Sequence, residues 1–232
     1  MAAEGLRIAE TAQSPFTQIQ ACYGVSAVYL RQGNVHRAIP LLERAMGLCQ
    51  DWHIPVFLPI MAAALGLAYA LDRRVAAGLA LAEQGVEQTV ASGRARSLAF
   101  VVACLSEAYL LAGRPEEARQ RAEQAVDLAR QYQQRGNEAW ALWLLGESTA
   151  RQVSPEGEPA AGHYRQALAL AEELGMHPLQ AHCHRSLGTL YAAMGQREQA
   201  RTALSTAIEM YRAMVMTFWL PETEAALAQV DA

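Results

Sequence analysis

The chain has 232 residues, of which 52% are apolar, and its formal net charge is −4. The charges form no basic cluster, which argues against a nucleic-acid partner and against a surface for anionic membranes. All 19 basic residues are arginine, so chemistry that requires a lysine, such as Schiff-base formation, is excluded within this chain. Abundant Ala and few β-branched runs are typical of a mostly helical globular protein.

The first predicted helix covers residues 2–12, where Glu4, Arg7 and Glu10 recur at helical spacing. This charge pattern is unlike a signal peptide. The segment aligns with the second helix of the following repeat, with Gly5 at the position of Ala45. We therefore expect an orphan second helix, and a chain that is a fragment of a larger multidomain protein.

Five repeats follow, marked by a short segment that recurs at steps of 40 residues and finally 42. Each segment places a small residue after an apolar one, and an aromatic residue follows in four of the five. Helices that pack closely need small residues where their backbones approach. The small position is occupied by Ser26, Gly66, Ser106, Gly146 and Gly188.

A second helix follows each of these segments. It carries two small residues seven positions apart, which lie on one helix face two turns apart. These pairs are Ala38 with Ala45, Gly78 with Gly85, Ala118 with Ala125, Ala160 with Ala167, and Ala200 with Ala207. Glycines, prolines and acidic residues between the helices, as at 113–117, are typical helix stop and start signals.

The predicted fold is all-α, with five helix pairs, an N-terminal orphan helix and a C-terminal capping helix in one domain. The first helices are predicted at 16–32, 56–72, 96–112, 137–152 and 178–194. The second helices are predicted at 35–50, 75–91, 115–134, 157–174 and 197–214, and the cap at 217–231. The uncharged stretch 54–71 falls within one of these helices and begins with two prolines, so we do not expect it to span a membrane.

Two segments, Leu65-Gly66-x-x-Tyr69 and Leu187-Gly188-x-x-Tyr191, the latter followed by Ala200, Leu204 and Ala207, resemble the tetratricopeptide pattern. The resemblance covers nearly the whole chain and implies a right-handed α-α superhelix, a solenoid whose first helices line a concave groove. The period exceeds the usual ~34 residues, and the expected late Pro is missing. The position of the family's Trp is taken by Cys22, Ala62, Val102, Leu142 and His184.

The run 173–184, together with Met210-Tyr211-Arg212 and 216–220, is similar to the tails of certain bacterial signalling proteins. Those proteins join a class III adenylate or guanylate cyclase domain, an ATPase domain and such repeats. The resemblance implies a cytoplasmic regulatory tail. The cyclase and nucleotide-binding residues have no counterpart here, so neither activity is implied.

Few residues suggest chemistry. The four cysteines, scattered and without a Cys-x-x-Cys pair, indicate a reducing compartment. His182 and His184 stand two apart on one helix, unlike the four-residue spacing of helical metal pairs, so neither a metal nor a cofactor is predicted. Glu107 and Glu147 occupy equivalent positions and could be neighbours, although a solvated groove explains them better than an acid and base pair. The chain is not expected to be an enzyme.

The residues expected to face the groove lie one position beyond the small residue and at helical spacing from it. Two interpretations remain open for the aromatic ones among them: contact with a ligand, or packing between repeats. The candidate binding residues are Tyr23, Phe100, Glu107, Trp140, Trp143, Glu147, His182 and Arg185.

The main hypothesis is a non-catalytic module that binds a protein or peptide in the groove, with the aromatic residues as anchors. On this hypothesis, Trp143→Ala weakens partner binding without unfolding the chain. A second hypothesis is a small-molecule sensor that regulates an upstream cyclase or ATPase. A third is self-association into a homodimer through the face left open by the orphan helix.

Overall fold

The computed structural model describes residues 2–11, 14–152 and 157–231, and within these ranges the chain is all-α. This confirms the predicted fold class. A 3₁₀ turn, Pro55–Phe57, precedes the fourth α-helix. The α-helices are α1 (Ala2–Thr11), α2 (Pro15–Arg31), α3 (Val35–Asp51), α4 (Leu58–Leu71), α5 (Val75–Ala91), α6 (Ala95–Leu111), α7 (Pro115–Gln131), α8 (Arg135–Ala150), α9 (Glu158–Glu173), α10 (His177–Ala193), α11 (Arg197–Ala213) and α12 (Leu220–Asp231).

The helices belong to two compact units, Met1–Gly113 and Arg114–Ala232. The first unit contains α1 to α6, and the second contains α7 to α12. Within each unit, helices that are consecutive in sequence pack against each other, as α4 does on α5 and α10 on α11. The cores are formed from such neighbouring contacts, as expected for a repeat protein.

In the first unit, α4 and α5 approach so closely that only glycine fits between them. A Cβ atom on Gly66 would lie 2.6 Å from the carbonyl oxygen of Gly78, and one on Gly78 would lie 2.5 Å from that of Gly66. Most of α4 is buried, including Met61 and Leu65. The uncharged stretch is therefore a core helix, and no helix in the described ranges has the length and apolarity needed to cross a bilayer.

In the second unit, the small positions receive side chains from the following helix. A Cβ atom on Gly146 would lie 2.5 Å from Cε1 of Tyr164, and one on Gly188 would lie 2.6 Å from Cγ of Leu204. The small residues predicted at these positions are therefore required by close packing. The last helix, α12, packs on α11 and α10 and buries Val230 against Leu204.

In the described part of the chain, most helices end in a turn whose second residue has a left-handed backbone conformation. In the turn after α2, Gly33 has φ 71°, and the N–H of Asn34 donates to the carbonyl of Tyr29 at 2.8 Å. This is the Schellman arrangement that the glycine positions predict. Four turns place another residue type in this conformation: His53, Arg73, Gln133 and Val215.

Gly5, which the repeat alignment places at the position of Ala45, differs from Ala45 in its surroundings. Gly5 is exposed, and a Cβ atom there would meet nothing within 4 Å, so it is not a close-packing position. The equivalent Ala45 is fully buried. Among the described residues, α1 packs on α2 and buries Ala9, which is 3% exposed, while Arg44 of α3 forms an ion pair with Glu10 of α1 at 2.7 Å.

Candidate functional site

The candidate residues of the first unit lie largely between helices. Tyr23 on α2 and Phe100 on α6 are both half-buried, with an edge-to-face ring contact and centroids 6.2 Å apart. Burial raises the pKa of Tyr23 to about 12, so its phenol stays protonated at neutral pH. Glu107 is 8% exposed. Glu107 is therefore buried, while Tyr23 and Phe100 each keep part of their surface exposed.

The candidate aromatic residues of the second unit are packed together. Trp140, Trp143 and His182 are 7%, 4% and 2% exposed, respectively. His182 on α10 contacts both indole rings of α8, with centroid distances of 5.7 and 5.3 Å. Tyr211 and Trp219 complete an aromatic cluster around the imidazole. The sequence left open whether the aromatic candidates contact a ligand or pack between repeats. Trp140, Trp143 and His182 pack between repeats.

Glu147 on α8 is the centre of a buried hydrogen-bond network. Its Oε1 accepts from the Tyr164 hydroxyl at 2.9 Å and from the Ser186 hydroxyl at 2.6 Å. Arg151, one turn along α8, donates to Oε2 at 3.3 Å. The indole N–H of Trp143 donates to Ser186 at 3.0 Å. Buried polar groups without such partners would be costly, so the network fixes α8, α9 and α10 against one another.

Two buried phenols adjoin this network. Burial, together with the nearby Glu147 carboxylate, raises the pKa of Tyr164 well above its usual range, so its hydroxyl remains a donor to Glu147. Burial likewise raises the pKa of Tyr211, whose hydroxyl lies 2.8 Å from Nδ1 of His182. Both phenols are therefore structural hydrogen-bonding groups at neutral pH.

Arg185 on α10 has a different environment. Its side chain is only 13% exposed, and its guanidinium lies 5.3 Å from the centroid of the Trp219 ring. The nearest carboxylate is that of Glu222 on α12, at 3.7 Å, and the Glu222 side chain is 81% exposed. Such a distance is too long for a hydrogen bond, so Arg185 has a weak ion pair on a largely buried cation.

A cavity of about 330 Å³ opens beside Arg185 and Glu147. It lies between the C-terminal end of α8, the C-terminal half of α10 and the N-terminal half of α12, and Tyr164 of α9 also lines it. Its charged lining residues are two arginines and two glutamates. The lining residues are Glu147, Ala150, Arg151, Tyr164, Arg185, Ser186, Thr189, Leu190, Ala193, Glu222, Thr223 and Ala226.

The structure brings together only part of the predicted site. Glu147 and Arg185 line the cavity, while Trp140, Trp143 and His182 pack in the core next to it. Tyr23, Phe100 and Glu107 belong to the first unit. In the described part of the chain, no group of three His, Cys, Asp or Glu residues is arranged to hold a metal ion. Burial raises the pKa of the Cys183 thiol, which makes it a poor nucleophile.

Sequence reasoning missed Tyr164, Ser186 and Glu222. Two of these could have been found, because they break the pattern of the repeat. The position of Tyr164 is apolar in the other repeats (Leu42, Ala82, Ala122 and Leu204). The position of Ser186 is otherwise taken by Gly24, Ala64, Cys104 and Leu144. Glu222 lies outside the repeats, so periodicity carries no signal for it.

Residues 160–213 match the family model of the tetratricopeptide repeat, and no curated protein matches the sequence. Among solved structures, BtubC (BKLC) from P. vanneervenii is similar, with a TM-score of 0.63 and 17% identity over 92% of this chain and 89% of that one. A putative kinesin light chain from Podosopora anserina with nearly identical TPR-like repeats gives a TM-score of 0.54 and 21% identity over 88% and 98% of the two chains.

The apo form of RapI is also similar, with a TM-score of 0.57 and 13% identity over 99% of this chain and 70% of that one. At these identities the structural likeness shows the fold alone. The fold is therefore that of tetratricopeptide-like repeat solenoids, and residues 160–213 carry the sequence signature of the tetratricopeptide repeat family.

Proposed function

We propose that the chain is a non-catalytic binding module that takes a protein or peptide ligand at the cavity between α8, α10 and α12. A tetratricopeptide-like fold is typical of protein-interaction modules. The observation that carries the proposal is the cavity itself, which joins Glu147 and Arg185, two residues of the predicted binding face, in one open recess. Ligand sites are concave and combine apolar walls with a few convergent polar groups.

On this proposal, the candidate residues have two roles. Arg185 and Glu147 contact or orient the ligand at the cavity wall. Trp140, Trp143 and His182 hold α8 and α10 in place from behind and so shape the recess. Rigid support of this kind raises affinity because little conformational freedom is lost on binding. Tyr23, Phe100 and Glu107 are proposed to shape the equivalent face of the first unit.

The absence of catalysis is also part of the proposal. The oxygens of Glu147 already accept hydrogen bonds from Tyr164, Ser186 and Arg151, which limits their use as a base. The Ser186 hydroxyl donates to a carboxylate rather than to an imidazole, unlike an activated nucleophile. Neither residue has the arrangement that acid-base or nucleophilic catalysis requires.

A second candidate function, a small-molecule sensor, is favoured by the size of the cavity. Its volume of about 330 Å³ falls within the range of small-molecule sites. A ligand bound there would contact α8, α10 and α12 together. A change in the position of α12 would then transmit ligand binding to a neighbouring domain. A ligand that binds only the native state would raise the melting temperature in a thermal-shift screen.

For the parent protein, we propose a bacterial signalling protein of the cytoplasm, in which the module regulates a cyclase or an ATPase. This rests on the resemblance of 173–184 and the C-terminal segments to the tails of such proteins. Self-association into a homodimer is an additional proposal, which a concentration-independent monomer mass in solution would contradict. We propose neither a nucleic-acid nor a membrane partner, since the net charge of −4 carries no basic cluster.

Selection of peptides tests the main proposal. Random peptides displayed on phage are selected on the full chain, and their affinities are compared between the wild type and two variants of α12. Ala226 is half-buried at the cavity, whereas Ala225 is exposed and does not line it. Ala226→Phe should weaken selected peptides by about tenfold or more, because it fills the recess, and Ala225→Phe should leave them unchanged. Equal affinity for Ala226→Phe and the wild type would exclude this cavity as the site.

A further inference from the structure

The guanidinium of Arg185 has hydrogen-bonding capacity that the described residues do not use. Its side chain is 13% exposed, yet it makes no hydrogen bond to another described residue. Its contacts are the face of Trp219 at 5.3 Å and the Glu222 carboxylate at 3.7 Å. An arginine carries five N–H donors in a fixed planar fork, and such donors are costly to bury without acceptors.

The nearby carboxylates of Glu147 and Glu222 stabilise the charged guanidinium of Arg185, but neither accepts a hydrogen bond from it. The indole of Trp219 supports it from one face, and this contact restricts the freedom of a side chain that would otherwise lose much entropy on binding. Glu147, the other acidic residue of the wall, already accepts from Tyr164, Ser186 and Arg151. The cation is therefore preorganised at the cavity and available to an anion.

We propose that Arg185 is the recognition residue for a carboxylate that enters the cavity, carried by a small organic acid or by an acidic residue of a peptide. This inference rests on the proposed use of the cavity as the binding site. A carboxylate matches the guanidinium fork with two parallel hydrogen bonds. A phosphate would match the fork as well, but its greater charge would be opposed by Glu147 on the same wall.

Glu222 makes the selection of a carboxylate more specific. Its carboxylate already points to Arg185 from α12, at 3.7 Å, and its side chain is 81% exposed. The contact is too long for a hydrogen bond and Glu222 itself is exposed, so Glu222 can turn into solvent at little cost. It then acts as an internal competitor that a bound carboxylate displaces. Removing its charge should therefore tighten ligand binding rather than weaken it.

The test follows the side-chain Nε–Hε resonance of Arg185 by NMR in the full chain. The probes are propionate, the capped tripeptide acetyl-Gly-Glu-Gly-amide and inorganic phosphate. We expect a saturable shift with a carboxylate probe. Glu222→Gln should increase the affinity by up to about fivefold, the range of an exposed ion pair. In the wild type, the Trp219 indole resonance should also shift when a carboxylate probe is added, and in Arg185→Gln this shift should be lost. Arg212→Gln, which removes an exposed arginine of α11, should behave as the wild type.

The two carboxylate probes distinguish the source. Binding of propionate as tight as that of the tripeptide supports a small acid, and tighter binding of the tripeptide supports a peptide ligand. No response to either probe, tighter binding of phosphate, or unchanged binding in Arg185→Gln would overturn the inference. Because Glu222 is exposed, its variant keeps the test valid if Arg185→Gln does not fold.

Failure of this inference is distinguishable from failure of the proposed function. If Ala226→Phe abolishes binding of selected peptides while neither carboxylate shifts Arg185, the cavity is the site but Arg185 is not its carboxylate receptor. If the carboxylate probes bind while the affinity of selected peptides is unchanged by Ala226→Phe, Arg185 is the carboxylate receptor and the proposal that proteins or peptides bind at the cavity is wrong.

Discussion

Trp143 donates its indole N–H to the hydroxyl of Ser186 at 3.0 Å, and the same hydroxyl donates to Glu147 at 2.6 Å. The three residues connect α8 to α10 across the core of the second unit. A tryptophan that is 4% exposed and hydrogen-bonded in this way supports the cavity from behind. Trp143 therefore positions Ser186 and Glu147 and does not itself line the cavity.

Replacement of Trp143 should therefore destabilise the unit, contrary to the expectation from the sequence that Trp143→Ala leaves the fold intact. The substitution removes a buried indole and leaves a cavity, and we expect a loss of about 3–5 kcal/mol in the free energy of unfolding. Urea denaturation measures this loss. The matched control is Trp52→Ala, because Trp52 is 60% exposed, and its effect should stay within about 0.5 kcal/mol. Similar effects for the two variants would show that Trp143 is not a core residue.

The positions at which neighbouring helices approach most closely could be predicted from the sequence. The recurring small residues indicated where backbones approach, and Gly66 and Gly188 are positions where a Cβ atom would collide with the neighbouring helix. Gly5 has no such constraint, because a Cβ atom there would meet nothing within 4 Å, whereas the equivalent Ala45 is fully buried. Periodicity identifies the face of a helix, while its burial depends on which helix is present.

Replacing glycine by alanine should change the stability in opposite directions at two helical positions. Gly24→Ala in α2 should stabilise the chain by up to about 1 kcal/mol, since alanine is the better helix former and nothing lies within 4 Å of the added Cβ. Gly66→Ala should destabilise it by about 1–3 kcal/mol or more, because its Cβ would lie 2.7 Å from the backbone nitrogen of Ala82. Thermal unfolding of the two variants provides the comparison. Stabilisation by both would mean that α4 and α5 are farther apart than described.

The candidate site was less predictable than the fold. The sequence placed Trp140, Trp143, Glu147 and Arg185 on one face, but two of them are core residues and two line a cavity. The difference arises because His182 and Ser186 of α10 contact the two indoles, a contact between repeats that the spacing within one repeat does not specify. The contact between Arg185 and Glu222 depends on α12, which follows the last repeat.

The turn after α11 contains Val215, whose replacement by glycine should stabilise the fold. Val215 has φ 57°, a left-handed conformation that is strained for a β-branched side chain, and it is 70% exposed. Val215→Gly should raise the free energy of unfolding by about 1 kcal/mol, because strain is relieved without loss of packing. Val90→Gly is the matched control, since Val90 is also exposed but lies inside α5, where glycine costs stability. A fall in melting temperature for both variants would show that the backbone of Val215 is not strained.

Two histidines of the second unit should make its stability depend on pH. Burial lowers the pKa of His163 and of His184, with Glu123 and Glu172 opposing the respective shifts. The folded state therefore favours the neutral imidazoles, whereas the unfolded chain takes up protons near pH 6.5. Between each lowered pKa and about 6.5, the unfolded state binds more protons, so stability falls as the pH is lowered.

This dependence can be assigned by comparing the urea midpoints at pH 8 and pH 5.5 for the wild type and for His163→Gln/His184→Gln. At pH 8 the imidazoles are neutral in both states, so that measurement gives the effect of the substitutions alone. The loss of stability on going to pH 5.5 should be smaller in the double variant, because the groups that take up protons on unfolding are absent. An equal loss in both proteins would show that other groups cause the pH dependence, and that burial of these two imidazoles does not disfavour their protonation.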